Sequence, residues 1–173
     1  GLTPLEGLMM GTRTGDIDPA VVFHLQRVAG MSVDEVDTLF NKKSGMKGMT
    51  GESDMRSVWG VINNTSDPEA SKRARTAMDV YINRLLKYVG SYAAELGGLD
   101  VITFTAGIGE NDDDVRRELA EALAPFGVKI DVEANKVRSG EPRVISAPDS
   151  TVTIYVFPTN EELAIARQAL TFA

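Results

Sequence analysis

The stretch Val101-Ile102-Thr103-Phe104-Thr105-Ala106-Gly107-Ile108-Gly109-Glu110-Asn111-Asp112-Asp113-Asp114 carries the fold reading. Its first five residues are apolar or β-branched, which predicts a short buried strand. The G-x-G that follows predicts a tight turn, and the three aspartates predict a helix from about Asp112 to Leu123. Strand, glycine turn and helix together form the unit of an α/β sheet. Such sheets bind ligands beyond the carboxyl ends of their strands, where exposed amides suit phosphates and nucleotides. The same residues also read as a plain connection, with Asn111 capping the helix and the aspartates complementing its dipole. G-x-G alone does not separate the two readings, and three carboxylates argue against a bare anion on that helix end.

Upstream of this stretch the chain is punctuated for helices. Asp18-Pro19 predicts a start with Asp18 at N-cap, and Val22, Phe23, Leu25, Val28 and Ala29 predict one buried face before a stop at Gly30. His24, the single histidine, falls mid-helix and is expected to be partly buried and structural. Ser32 and Glu35 have capping-box spacing for a second helix ending near Gly45. Ser44 to Gly51, with three glycines and two methionines, reads as a loop, and a short helix is expected over 54–61. Asp67-Pro68 opens one long helix whose apolar rhythm runs to Gly97-Gly98, with two buried sides in places.

Downstream, strands are expected near 128–132, 143–146 and 151–157, and a final helix from Thr159 with Glu162 as its capping-box acid. The alternation implies α/β with a mainly parallel sheet of four strands. Strands are scarce in the first hundred residues, and the chain opens with Gly1 rather than Met. Both features lead us to expect a fragment lacking sequence upstream.

Composition narrows the function. The 173 residues carry 18 Lys+Arg against 25 Asp+Glu, a net charge of −7, with no basic run. Nucleic acid and anionic membrane are poor partners for such a surface. Cysteine is absent, so disulfides, thiolate metal sites and Cys nucleophiles are excluded, and one histidine leaves no multi-His metal site. No apolar run reaches the roughly 18 residues of a membrane span, and no signal peptide opens the chain. The expectation is a soluble, cytoplasmic protein.

Two further segments carry chemistry. Arg13 lies between Gly11 and Gly15 on a turn, from which a planar guanidinium can reach carboxylate or phosphoryl oxygens. A structural salt bridge to Asp16 or Asp18 is the competing use of that charge. Pro158-Thr159-Asn160-Glu161-Glu162 follows an apolar strand. With Glu162 read as the capping acid, Glu161 is left to orient an Mg2+-bound water, or merely to complement the dipole.

Taken together, Gly1-Leu2-Thr3-Pro4-Leu5-Glu6-Gly7-Leu8-Met9-Met10-Gly11-Thr12-Arg13, Gly15-Asp16-Ile17-Asp18-Pro19, Thr105 to Asn111 and Pro158 to Leu163 resemble the acetate kinase family in order and spacing. The resemblance covers nearly the whole chain and corresponds to less than half of the family's length, its C-terminal part. It implies a partial actin/hexokinase/Hsp70-like (ribonuclease H-like) α/β domain. Residues 1–173 would then be a C-terminal nucleotide-binding domain, incomplete at its N-terminal side, with 159–173 as the terminal helix.

It also implies reversible transfer of the ATP γ-phosphoryl to acetate with Mg2+ or Mn2+, giving ADP and acetyl phosphate. By the resemblance, Arg13 stabilises the transferring phosphoryl. Asp54, Met55 and Arg56 contact ATP, and Gly107, Ile108, Gly109, Glu110 and Asn111 form the adenosine-side loop. Glu161 is the metal-associated glutamate. Ala106 stands where the family pattern has glycine. The catalytic Asn, a second Arg, the Asp and His residues and a second glycine-rich hairpin would all come from an N-terminal half that is absent here. The family pattern further implies a homodimer, with the long helix near its two-fold axis. The rival readings are a propionate or butyrate kinase of the same fold and a non-catalytic nucleotide-binding or dimerisation module.

Overall fold

A computed structural model describes residues 1–172. Ala173, the last residue of the expected terminal helix, lies outside the described residues. The chain divides into two compact units, Gly1–Tyr88 and the residues from Val89 onward.

The first unit is helical: α1 (Ala20–Val28), α2 (Val33–Lys42), α3 (Gly45–Thr50), α4 (Met55–Asn64) and most of α5 (Pro68–Leu96). The starts of α2 and α5 are capped as the sequence reads, whereas α1 begins at Ala20 with Pro19 rather than Asp18 at its N-cap position, Asp18 Oδ1 accepting the Ala20 amide at 2.8 Å. Ser32 and Glu35 form a reciprocal capping box on α2, Asp54 caps α4, and Asp67 Oδ1 accepts the Glu69 and Ala70 amides at 3.0 and 3.2 Å. The core gathers Val36, Phe40, Met46, Met55, Val58, Ala74, Ala77, Met78, Tyr81 and Ile82. Burying each of the larger side chains is worth about 1.5–3 kcal/mol.

Three expectations are corrected here. The 44–51 segment is not a loop, because α3 occupies most of it, held by partners distant in sequence. The apolar residues of α1 do not form a buried face: α1 buries none of its side chains, and Phe23 and Val28 are 54% and 72% exposed. His24 is likewise exposed rather than partly buried.

The second unit carries β1 (Val101–Phe104), α6 (Ala106–Asn111), α7 (Asp113–Ala122), α8 (Val132–Lys136), β2 (Arg143–Val144), β3 (Thr153–Val156) and α9 (Glu161–Ala169). Among the described residues the sheet has three strands in the order β1-β3-β2, with β1 parallel and β2 antiparallel to β3. It is therefore mixed rather than mainly parallel, and the segment near 128–132 contributes only an isolated bridge, Ile130 to Ser146. Ile154 and Val156 of β3 are fully buried, and Val115, Leu119, Leu123 and Ile145 of the same unit are buried with them. The strand expected to be most buried is not: β1 lies at the edge of the sheet and alternates exposed and half-buried.

Two connections also differ. The glycine turn after β1 is the short helix α6, so Asn111 ends that helix and Asp112 caps α7, accepting the Val115 amide at 2.9 Å. Asn160 rather than Thr159 caps α9, accepting the Leu163 amide at 2.9 Å, and Glu162 is consequently not a capping-box acid. No helix among the described residues is long and apolar enough to cross a membrane.

Candidate functional site

The turn bearing Arg13 is laid across the start of α3. The Ser44, Met46 and Lys47 amides donate to the carbonyls of Thr12, Met10 and Gly11 at 3.0, 2.9 and 2.9 Å, and the turn closes through Met10 N to Arg13 O at 3.1 Å. Amides at a helix start lack intrahelical partners, so the turn satisfies them while α3 fixes the turn. Only glycine fits the joint. Gly45 has φ +62°, and a Cβ there would collide with Met10 O and lie 2.7 Å from Arg13 O. Gly11 packs equally close to Ser53, since a Cβ there would lie 2.8 Å from the Ser53 carbonyl. The Arg13 turn and the Asp54-Met55-Arg56 segment are thus neighbours.

Arg13 is half-buried, and its Nη1 donates to Met10 Sδ at 3.8 Å. Among the described residues it has no ion pair. Asp16, the expected structural partner, is engaged elsewhere: its Oδ1 accepts the Gly7 amide at 2.7 Å and its Oδ2 the Tyr88 hydroxyl at 2.7 Å, with Arg84 Nη1 at 3.5 Å. The Tyr88 hydroxyl first, then the Gly7 amide and the Arg84 charge hold the Asp16 carboxyl below the usual carboxylate range. This network releases the Arg13 guanidinium from a structural duty.

Asp54 and Arg56 pair with each other, Oδ2 to Nη2 at 2.6 Å, while Asp54 Oδ1 also accepts the Arg56 amide at 2.9 Å. The Arg56 hydrogen bonds pull the Asp54 carboxyl down to about 2. Both side chains are exposed, so solvent screens the pair and it can open toward a ligand. Met55 is buried in the core, so its side chain is not presented at the surface.

In the second unit α6 packs its Gly109 against the end of β1, where a Cβ would lie 3.2 Å from the Phe104 carbonyl carbon. Gly107 is open, with nothing within 4 Å of a Cβ position, and Ile108 is 38% exposed. This leaves the outer face of α6 clear. Its inner side is fastened by Arg116, which is fully buried: Nη1 donates to Gly109 O at 2.9 Å, Nε to Asn135 Oδ1 at 2.7 Å and Nη2 to Asn135 O at 2.7 Å. Asn135 in turn donates to Asp113 O at 2.8 Å. Asn111 Nδ2 donates back to Gly107 O at 2.9 Å, and Arg138 holds the Asn111 carbonyl.

Glu110 turns away from the open face. Its Oε1 accepts the Thr159 amide at 2.9 Å and the Thr159 hydroxyl at 3.1 Å. The Thr159 amide foremost, with the hydroxyl, the Ala106 amide and the Arg143 charge, keeps its carboxyl below the usual range. Glu161 opens α9 two residues later and is exposed. Among the described residues no group of three or more His, Asp or Glu is gathered to hold a metal. A single exposed carboxylate fits Mg2+ carried on nucleotide phosphates, which keeps several waters and takes one or two protein carboxylates. It does not fit a metal caged by protein.

Sequence reading did not find Gly45, Arg116, Asn135 or the Glu110–Thr159 contact. Gly45 and Arg116 act on partners 32–35 and 7–19 residues away, and no short motif marks them.

An α/β segment presenting a fixed arginine turn and a strand–glycine–helix unit has the parts of a phosphotransferase. The model of the Acetokinase family matches residues 1–167, and the chain belongs to that family. The acetate kinase of Leifsonia xyli subsp. xyli is 54% identical over 98% of this chain, which covers 42% of that protein. Among solved structures, Porphyromonas gingivalis acetate kinase superposes with a TM-score of 0.87 at 43% identity, over 99% of this chain and 42% of that one. A propionate kinase from Francisella tularensis subsp. tularensis superposes with a TM-score of 0.85 at 39% identity, over 96% and 41%. The chain thus spans about two fifths of the length of its relatives and is part of a larger kinase fold.

Proposed function

We propose that the complete enzyme carrying this segment phosphorylates acetate with ATP, reversibly. In the forward direction an acetate oxygen attacks the γ-phosphorus in line, the bond to the β,γ-bridging oxygen breaks, and ADP departs with that electron pair. Such transfer needs little covalent help from protein, and positioning with positive charge supplies most of the rate. Arg13 offsets charge on the equatorial phosphoryl oxygens. By the family resemblance, Asp54, Met55 and Arg56 of the first unit contact the nucleotide, and Gly107, Ile108, Gly109, Glu110 and Asn111 of the second form the adenosine-side loop. Glu161 would hold Mg2+, or Mn2+ in its place, and the bound ion would supply positive charge to the nucleotide phosphates.

The observation that carries this reading is the Arg13 turn. Its backbone is locked by α3 and Gly45, while its guanidinium has no carboxylate partner among the described residues. A purely structural arginine would pair with Asp16 or Asp18, but Asp16 bonds Gly7, Tyr88 and Arg84, and Asp18 Oδ1 accepts the Ala20 amide at 2.8 Å.

The likeness to a propionate kinase supports a second reading, a longer acyl substrate handled by the same phosphoryl chemistry. ADP release by the complete enzyme with acetate, propionate and butyrate in turn decides between them. Acetate is expected to give the highest kcat/KM, and a preference for a longer acid reverses that order. We further read the exposed Tyr92 and Leu96, one turn apart on α5, as part of a two-fold interface between copies of the enzyme. Sedimentation at micromolar concentration should show a dimer, and a monomer there removes the interface. A cytoplasmic enzyme is the setting in which ATP and acetate meet it.

A further inference from the structure

The contact between Glu110 and Thr159 joins two segments that the proposed function uses separately. Glu110 sits in α6, the candidate adenosine side, and Thr159 lies 49 residues later, two before Glu161. Both Thr159 donors converge on one carboxylate oxygen, at 2.9 and 3.1 Å. Hydrogen bonds to an ionised acceptor are roughly twice as strong as neutral ones. The Arg143 charge and the Ala106 amide further favour the ionised form.

What lies beyond Thr159 makes this contact matter. α9 buries none of its side chains, so packing does not fix where it starts. Its first turn is held from within by Asn160 accepting the Leu163 amide at 2.9 Å, and the strand before it is held by the Phe157 amide donating to Phe104 O at 2.8 Å. Between those two anchors, Glu110 is the side chain among the described residues whose hydrogen bonds tie the Pro158–Glu161 segment down. Other uses of the Glu110 carboxylate fit less well, because its acceptor oxygen is occupied by a protein partner rather than turned to the open face of α6.

We propose that Glu110 is a positioning residue that latches the Glu161 segment to α6, so that nucleotide seating and cation orientation are coupled through it. The latch rests on the proposed roles of α6 and Glu161. A ligand that holds α6 then also holds Glu161 in place, and by linkage a cation engaged at Glu161 strengthens nucleotide binding by the same factor.

The test is the affinity of a fluorescent ADP analogue for the complete enzyme, measured without divalent metal and at saturating Mg2+. Wild type should bind more tightly with Mg2+, and Glu161→Ala should lose most of that enhancement. Glu110→Ala is expected to cut the enhancement by about tenfold, toward the Glu161→Ala level. Glu110→Gln keeps an acceptor oxygen for Thr159 and should restore most of it. The double variant Glu110→Ala with Glu161→Ala should lose little more than either alone. Thr159→Val deletes only the hydroxyl donor, disturbs folding least, and should give a smaller loss of the same sign. A part that served stability alone would lower the melting temperature in Glu110→Ala and leave the Mg2+ enhancement intact. That outcome, or a wild-type enhancement in both Glu110→Ala and Thr159→Val, overturns the latch while leaving the proposed function standing. If Mg2+ does not strengthen nucleotide binding even in wild type, the role of Glu161 fails, and the latch fails with it.

Discussion

Ala106 is the only non-glycine among the described residues with a positive φ, +59°. A side chain in that left-handed region costs about 1–2 kcal/mol, and the Cβ of alanine does not relieve it. Part of the gain from glycine is offset by its freer unfolded chain. Ala106→Gly should therefore stabilise the enzyme by roughly 0.5–1 kcal/mol, read as a raised midpoint in urea. A lowered midpoint would show that the strain is not where the backbone places it. Asp16 gives a pH prediction. Its carboxyl is held below the usual range by Tyr88, Gly7 and Arg84, so the folded state favours the charged form. As pH falls the unfolded chain takes up the proton first, and the stabilisation is lost. The urea midpoint of wild type should exceed that of Asp16→Asn near neutrality, and the gap should close between about pH 5 and pH 2. A gap that stays constant across that range would remove Asp16 as the cause.

Among the elements, the best-read ones are those whose signals are local. The Ser32–Glu35 capping box and the Asp67-Pro68 start depend on residues within three positions of each other, and both stand in the structure. α3 was not legible, because Gly-Met-Lys-Gly-Met-Thr is a poor helix former by propensity. Its first amides are satisfied by Met10 and Gly11, more than thirty residues upstream. The cap of α9 was misread for the same reason. Thr159 has the right chemistry and spacing, but Glu110 engages its hydroxyl and amide, and Asn160 takes the cap. The edge position of β1 depends on which strands flank it, which an apolar run does not state. The joint between α3 and the Arg13 turn makes an element-scale prediction. Gly45→Ala forces a Cβ into Met10 and Arg13 backbone and must shift the turn. Activity should fall at least tenfold while adenine-nucleotide affinity changes much less. Wild-type turnover in Gly45→Ala would show that the position of the turn is not critical.

At the scale of the molecule, the Arg13 turn was visible as a candidate in sequence, but its competition with an Asp16 salt bridge was settled only by the long-range bonds of Asp16 to Tyr88 and Arg84. The segment spans about two fifths of its relatives, and phosphoryl transfer needs donors on all sides of the reacting group and exclusion of water. Positioned donors are typically worth about 10²–10³ in rate each. Residues 1–173 alone should therefore show no acetate-dependent ADP formation. The exposed edge strand β1, with Val101 52% exposed, and the exposed Leu170 and Phe172 should also make the isolated segment prone to self-association. Clear turnover by the segment, free of full-length enzyme, would show that it carries the whole site.

The central claim is that Arg13, held by α3 and spared from pairing with Asp16, acts on the transferring phosphoryl group rather than on the nucleotide. Hydroxamate trapping of acetyl phosphate by the complete enzyme, in wild type and Arg13→Ala, tests it most directly when paired with ADP affinity in both. Wild type is expected to form acetyl phosphate only with acetate and ATP present. Arg13→Ala should lose about 10²–10³ in kcat while its ADP affinity stays within a few-fold. Near-normal turnover in Arg13→Ala, or a loss of ADP affinity that accounts for the whole defect, would contradict the account.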